Sequence, residues 1–491
     1  MRLSIKIGGA LAAGALIAAG IAGFRYATFS TSDIGTGADI KIAPVANLFT
    51  PNAAQNLSAA IRFQTISKQN PAENDVAQWD AMQSWMQTTY PAAHTVMQRE
   101  LVASRTMLFT WTGSNAALKP IILMAHQDVV PITPGTEKDW KHAPFSGAIA
   151  GGAVWGRGAL DDKGSLITLF EALDALALQG FKPKRTIYIV SGHDEEVGGT
   201  GAVAAAALLA ERGVKAQFTL DEGGIVALDA PIINGKAGMI GIAEKGYATL
   251  KITATAKGGH SSMPPQETGV VNLAKAVLAI NDHPFAMELE GPSLKMLEAL
   301  ASEKGGLPKL AVANRWLFGS MLTNQVSQTP SGAAALHTTI APTMLTGSPK
   351  ENVLPQTATA LINYRIAPWN RSTDILTRAS AATKGQPVSL SWVRPPLEPS
   401  KTSSTNSPGW NVIVAALKAN SPGITPAPYL VVGGTDGRAM QDISEDVYRL
   451  LPFHLSLKDT AMLHGTNEHI SIQNINRAIN FYVMLITASA G

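Results

Sequence analysis

The chain has 491 residues, more than one hydrophobic core organises, so two or more domains are expected. It is 46% hydrophobic and 15% charged, with a formal net charge of +3 and no basic cluster, which argues against a nucleic-acid partner. Cysteine is absent, which excludes a disulfide framework, a thiolate metal site and a cysteine nucleophile.

The chain opens on Arg2 and Lys6, followed by an apolar run from Ile7 to Phe24 that Arg25 closes. At about 18 residues the run reaches the lower end of what spans a bilayer. It is long for a signal-peptide core, and no small-x-small cleavage site follows. Residues 1–27 are therefore expected to form an uncleaved signal anchor, in preference to a cleaved signal peptide. With Arg2 and Lys6 inside, the bulk of the chain is exported, in a periplasmic or extracytoplasmic position. Cleavage would make it secreted instead. Residues 28–44, rich in Ser, Thr, Gly and Asp, read as a tether.

Helices are expected from Leu57 to Ile66 and from Asp75 to Thr89, where Val76, Trp79, Met82, Trp85 and Met86 fall at helical spacing. Strands are expected at Met107 to Trp111, Pro120 to Met124, Arg185 to Ser191 and Gln217 to Leu220, with helices at Lys163 to Gln179 and Gly201 to Arg212. Alternation of this kind predicts an α/β domain with a mostly parallel sheet over residues 45–246. Near Gly246 the pattern changes. A long alternating strand at Ala248 to Ala256, a helix at Gly269 to Ile280, strands at Ala335 to Ala341 and Ala358 to Arg365, and a helix at Ser372 to Ala382 describe an inserted α+β domain over residues 247–397. Pro395-Pro396 and Ser400 to Pro408 read as a linker. The first domain then resumes over residues 398–491, with a helix from Gly409 to Ala419, a strand from Tyr429 to Val432 and a last helix from Gln473 to Thr487.

The chemistry-bearing residues fall at the ends of strands, where open α/β sheets bind ligands. One strand ends in His126-Gln127-Asp128. A glycine-rich turn carries Asp161-Asp162, another strand ends near Asp194-Glu195-Glu196, a third at Asp221-Glu222, and His464-Gly465-Thr466-Asn467-Glu468 lies near the C-terminus. Carboxylates are rarely buried unless paired or bound to metal. His126 and Asp128 point to one face of a strand, so Asp128 can accept the second N–H of a ligating histidine. Asp161 has two oxygens and can bridge two ions. Of Glu195 and Glu196, one can ligate while the other takes protons from a water. Asp221 or Glu222 is the fourth ligand candidate and His464 the fifth. Two divalent ions are neutralised by Asp161, Glu196, Asp221 and a bridging hydroxide. Nitrogen and oxygen donors in this ratio suit Zn²⁺, with Co²⁺ or Mn²⁺ as less favoured occupants. Paired ions activate a water for hydrolysis.

With these stretches in view, the sequence resembles M20-type zinc metallopeptidases and amidohydrolases, in their carboxypeptidase S and aminoacylase branch. The resemblance rests on Met124 to Pro131, Trp155 to Gly164, Gly192 to Gly199, Leu220 to Gly223, Gly258 to Pro264, Glu351 to Pro355, Gly433 to Arg438 and His464 to Glu468, taken in this order. It implies His126 and Asp221 on one zinc, Glu196 and His464 on the other, and Asp161 across both. It implies Glu195 as general base, Asp128 as the partner behind His126, and a cis peptide at Asp161–Asp162. It makes the insertion a lid and dimerisation domain, whose His260 reaches the active site of a second subunit in a homodimer. Asn352 and Arg365 are implied as substrate contacts, and Arg365, with Gly434 and Thr435, is expected to hold the substrate's free carboxylate. The expected reaction is hydrolysis of an amide bond in peptides or N-acyl amino acids. The alternatives are an N-fatty-acyl-amino-acid hydrolase/synthase and, more remotely, a non-catalytic metal-binding scaffold. Adjacent Glu195 and Glu196 are too close to flank a sugar bond as a glycosidase pair. His94, His142, His193, His283, His337, His454 and His469 are expected to be surface, packing or loop-supporting residues.

Overall fold

The computed structural model describes residues 2–44, 50 and 52–491, with side chains in the first helix from Gly14 onward. That helix runs Arg2–Thr28. The expected membrane anchor lies in part outside the described residues. Among those described, no helix is long and apolar enough to cross a membrane.

The stretch expected to be a tether is laid against the helix Pro408–Asn420. The Trp410 indole N–H donates to the Gly35 carbonyl at 2.8 Å, Lys418 Nζ to the Thr36 carbonyl at 3.0 Å, and the Gly37 N–H to Asn411 Oδ1 at 3.2 Å. Glycine is required for this approach, because a Cβ on Gly37 would meet the Asn411 carbonyl at 2.7 Å. A polar, glycine-rich composition reads as flexible, but here it lets the backbone reach a helix.

A 10-stranded sheet forms the first layer. Across it lie Gln98–Val102, Thr106–Trp111, Ile187–Ser191, Ile121–Met124, Phe218–Asp221, Val447–Arg449, Gly235–Glu244, Val226–Ala230 and His454–Leu455, with Thr425–Val431 also paired to Gly235–Glu244. The centre is parallel, as expected: Ile121–Met124 pairs in parallel with Ile187–Ser191 and with Phe218–Asp221, which pairs in parallel with Val447–Arg449. Ile121–Met124 is buried at every position, which is why it reads as a continuous apolar run rather than an alternating one. The helix Lys163–Leu178 is likewise apolar nearly all round and packs between the sheet and the final helix, Ile472–Ala490.

A second, 4-stranded antiparallel sheet lies in the order Thr339–Thr346, Thr357–Ile366, Gly246–Thr255 and Val388–Trp392. On Gly246–Thr255 the burial alternates strictly. Ala248, Leu250, Ile252 and Ala254 form a separate core with Leu273 and Ala276 of the helix Gly269–Asn281 and with Ile375 and Ala379 of Ser372–Ala382. The helix Gly291–Lys304 behaves differently. Its Ala299 and Leu300 join the core of the large sheet.

Several strands depart from expectation. The strand expected from Ala335 begins only at Thr339, because a short helix, Pro330–Ala334, precedes it. Val226–Ala230 and Gly235–Glu244 extend the large sheet where no strand was expected. Thr425–Val431 is a strand despite Pro426 and Pro428, pairing with a single neighbour so that the missing N–H groups cost no ladder bond on the other side.

Candidate active site

Three adjacent parallel strands bring their carboxyl ends to one edge. Ile121–Met124 leads into His126, Ile187–Ser191 into the turn Glu195–Val197, and Phe218–Asp221 ends on Asp221. Asp161 arrives from the turn before Lys163–Leu178, and His464 from a C-terminal loop in which its own φ is 58°. His126 Nε2 lies 2.9 Å from Asp161 Oδ1, and His464 Nε2 lies 3.1 Å from both Asp161 Oδ2 and Glu196 Oε2. Each oxygen of Asp161 therefore faces a different histidine. His126, Asp161 and Glu196 each offer a ligand atom within 4.8 Å of the others. The Asp161–Asp162 peptide is cis.

A buried shell aims these groups. His126 Nδ1 faces Asp128, 3.0 Å from its carbonyl and 3.3 Å from Oδ1, which leaves Nε2 for Asp161. The fully buried Asp128 carboxylate also accepts the N–H groups of Glu195 and Glu196, both at 3.1 Å, and the Ser67 hydroxyl at 2.6 Å. One carboxylate thus fixes a histidine and the glutamate turn together. Glu468 does the same for the aspartate turn. Its buried carboxylate accepts the N–H groups of Gly158, Leu160 and Asp161 at 3.1, 2.8 and 3.1 Å, and Arg157 Nη1 at 2.6 Å. Arg157 Nη2 then donates to the Gly465 carbonyl at 2.9 Å, tying the His464 loop to the Asp161 turn. The sequence reading flagged the His464 to Glu468 stretch but gave Glu468 no task. Its signal was a glutamate in a glycine-containing loop with no cation beside it in sequence.

The electrostatics are those of a site short of positive charge. Burial works to raise Asp161, yet His126 and His464 outweigh it and hold its carboxyl well below the usual range. His464 is pushed up to about 10 by Asp161 and Glu196. Glu195 is pushed well up, by burial first and then by Asp436, Glu196 and Asp161. Glu222 is pushed well up by burial and by the charges of Asp161, Glu195, Asp221 and Asp162. One oxygen of Glu196 and one of Asp162 are buried without a partner. Unpaired carboxylates in a buried cluster are costly unless a cation joins them. Imidazole and carboxylate donors with no sulfur fit Zn²⁺.

Two of the expected site residues make buried hydrogen bonds of their own. Asp221, expected as a metal ligand, accepts backbone N–H groups of Glu222 and Gly437. Glu222 has no hydrogen-bond donor among the described residues, and Asp161 and Glu195 dominate the charges acting on it. Thr435, expected to contact substrate, is buried and donates to Glu244 Oε1 at 2.6 Å. Its hydroxyl belongs to a buried network in which Glu244 also pairs with Arg438 and Arg449. Gly434 does border open space, with nothing within 4 Å of where a Cβ would sit.

The remaining candidates lie on the second sheet and its ladder. Arg365 stacks over the Tyr247 ring at 4.8 Å, and Arg394 lies over the same ring at 4.7 Å. His260 is exposed on a short ladder, Gly259–His260 against Val353–Leu354, with Nδ1 accepting from the Ser262 N–H at 3.1 Å. Its hydrogen bonds reach none of the cluster residues. Asn352, on the same ladder, carries a buried Oδ1 with no partner. His469 stacks on Trp155 at 3.9 Å, and His142 lies 5.1 Å from that ring, as packing residues.

Residues 122–488 match the profile of "Peptidase family M20/M25/M40". The chain belongs to that family. Its members are metal-dependent peptidases, and the His126, Asp161 and Glu196 group is a metal-competent centre of the kind they use. This M20 chain is 34% identical over 441 residues to "Probable carboxypeptidase S-like 2" of Dictyostelium discoideum, covering 88% of this chain and 84% of the relative. It is 35% identical over 440 residues to "N-fatty-acyl-amino acid synthase/hydrolase PM20D1" of Xenopus tropicalis, with 88% and 85% covered. Its fold is similar to a solved M20 metallo-carboxypeptidase of Sulfolobus solfataricus, with a TM-score of 0.62, 18% identity, and 89% of this chain and 99% of that one covered.

Proposed function

We propose that this chain is a two-zinc hydrolase that cleaves the amide bond of peptides or N-acyl amino acids carrying a free carboxylate. The observation that carries the reading is Asp161, with His126 on one carboxylate oxygen and His464 on the other. His126 and Glu222 would hold one ion, Glu196 and His464 the second, and Asp161 both. Zinc, when bound there, supplies Lewis-acid polarisation of the amide carbonyl and a more acidic water.

The chain's own residues do the rest. Glu195 accepts the proton of the attacking water at its carboxylate and passes it to the leaving amine nitrogen. Burial and the neighbouring carboxylates already push its pKa up, which suits a group that must both take and return a proton. Asp128 holds Glu195 through its backbone N–H and keeps His126 in the tautomer that frees Nε2. Arg365 and the open backbone at Gly434 would hold the substrate carboxylate. His260, exposed on its ladder and far in sequence from the cluster, would act from the other copy of a homodimer by donating to the oxyanion.

The second reading is an N-fatty-acyl-amino-acid hydrolase/synthase, favoured by the relative of that name at 35% identity over most of both chains. The N-terminal run from Ile7 to Phe24 supports a membrane-anchored enzyme with its catalytic domain exported, or a secreted one after cleavage.

A panel of dipeptides, short N-acyl and long N-acyl amino acids, assayed with metal content, decides among these readings. Turnover of any of them that vanishes on chelation and returns with zinc is expected. Full activity in metal-free protein would overturn the proposal.

A further inference from the structure

The helices Gly306–Ala313 and Arg315–Val326 have no task in the chemistry described, yet their surface is unusual. Arg315–Val326 contains Trp316, Leu317, Phe318, Met321, Leu322 and Val326, and not one of its residues is buried. Leu322 and Val326 rest partly against a small cluster of Leu297, Ala301 and Val312. That contact holds the helix by one edge. Leu307 is 78% exposed, and Trp316, Leu317 and Met321 are each more than half exposed. An apolar surface of this extent on a protein marks something that covers it.

Two further observations say what covers it. The first is charge. From Lys304 to Lys350 the chain contains no Asp or Glu, while Lys304, Lys309 and Arg315 flank the apolar residues. Apolar side chains with tryptophan, flanked by cations and with acidic residues only along the edge toward Gly291–Lys304, where Glu298 lies 3.9 Å from Arg315, match an anionic bilayer surface. The same face set against its own copy would oppose like charges. The second is continuity with the N-terminal helix. Asn314 Nδ2 donates to the Ala22 carbonyl at 3.1 Å, and Lys309 Nζ lies 5.1 Å from the Tyr26 ring and 6.0 Å from the Phe29 ring. Beyond that contact the N-terminal helix exposes Leu16, Ile17, Ile21 and Phe24.

We propose that these two helices form a platform that lies on the membrane surface, a second lipid contact beside the N-terminal helix. The proposal rests in part on reading that helix as an anchor. Tyr26 and Trp316 take the interfacial level that amphipathic rings prefer, and Leu307, Leu317 and Met321 dip into the acyl boundary. The platform fixes how the chain stands on the bilayer, which a single helix on its own would leave free to swivel.

The absence of cysteine makes the test direct. Single-cysteine variants Met321→Cys, Leu307→Cys, Leu16→Cys and Leu178→Cys of the full chain carry an environment-sensitive fluorophore. Each is reconstituted in vesicles containing phosphatidylglycerol and a lipid with a nitroxide on its acyl chain. Turnover of a soluble substrate verifies the fold of each. The labels at Met321 and Leu307 should be quenched several-fold more than the label at Leu178, which is 74% exposed on the catalytic domain. Charge reversal at Lys309 and Arg315 should weaken that quenching and leave the label at Leu16 unaffected.

If Leu16 is quenched while Met321 and Leu307 match Leu178, the anchor stands and the platform falls. If Met321 and Leu307 are quenched while Leu16 is not, the platform stands and the anchor reading falls. No quenching at any of the three overturns both. Shielding at Met321 that rises with protein concentration in vesicle-free solution would assign the face to a second copy and overturn the proposal.

Discussion

Two buried charge centres lie in this molecule, and they are built in opposite ways. At the sheet edge, Glu195, Glu196, Glu222, Asp161 and Asp162 crowd around two histidines, and their mutual repulsion adds to burial in pushing Glu195 and Glu222 up. Behind it, the single carboxylate of Glu244 meets two guanidiniums. Arg438 Nε donates to Oε2 at 3.0 Å, Arg449 Nε reaches Oε1, and the Thr435 hydroxyl completes it. Glu244 is fully buried, yet the arginines overcome that burial and hold its pKa below the ordinary value. A balanced centre needs nothing from outside and fastens strands together. An unbalanced one gains stability from a cation, and that imbalance is the physical mark of the site.

The largest effect that tests this contrast is on turnover. Glu195→Gln removes the proton acceptor without removing a ligand. kcat is expected to fall about 10²–10⁴-fold, the usual worth of general acid–base catalysis. Bound metal, measured by elemental analysis, should be unchanged. Near-normal turnover would move the proton transfer to another group.

Arg449→Met should act on the other centre and on folding. Breaking a buried ion pair costs about 3–5 kcal/mol, because the remaining charge is left without compensation. Denaturant unfolding should show that loss, while the protein that stays folded keeps its metal. A variant as stable as the parent would mean that Arg438 alone neutralises Glu244.

Metal affinity separates the two neighbours at the end of Phe218–Asp221. Glu222→Gln is expected to weaken zinc binding by more than Asp221→Asn does, as read by competition with a chromophoric chelator. The reverse order would restore Asp221 as the ligand. Glu468→Gln should have a smaller effect, about 10–100-fold in metal affinity, the scale on which partners behind the ligands act. It loosens the three backbone N–H groups that shape the Asp161 turn without touching a ligand.

Much of this arrangement was legible in the sequence where chemistry and local pattern coincide. His126, Asp161, Glu196 and His464 sit at strand ends and glycine turns, so their meeting follows from the parallel sheet. Glu222 and Asp221 were harder. They are adjacent, and the Gly437 N–H that Asp221 accepts comes from a distant part of the chain. Glu244 was invisible because its partners Arg438 and Arg449 lie about two hundred residues away. Val226–Ala230 and Gly235–Glu244 were missed although the Asn234-Gly235 dipeptide, a hairpin signal, stands where the second strand begins, after a turn in which Ile232 and Asn234 take positive φ. The contacts of the tether were hidden for a simpler reason. Small polar residues permit disorder, but they equally permit close backbone contact, and composition does not separate the two.

The smallest expected effect is the pH dependence, and its sign differs between the two centres. Glu244 has a folded pKa depressed below its unfolded value of about 4.5. Its ionised form therefore contributes stability that is fully present above that value and is lost as the pH falls through the depressed folded pKa. The destabilisation caused by Glu244→Gln should be largest near neutral pH and shrink below about pH 4.5. Glu195 has a folded pKa raised above its unfolded value. In metal-free protein its charged form costs stability above the raised pKa, and the cost disappears as the group protonates on acidification. Glu195→Gln should accordingly raise the melting temperature of metal-free protein at high pH, by an amount that fades toward acid. Melting temperatures of parent and variants across pH would then show two difference curves of opposite sign, both converging toward zero in acid. Curves of the same sign would mean that the sheet-edge carboxylates are balanced within the chain, and that it has no need of a cation.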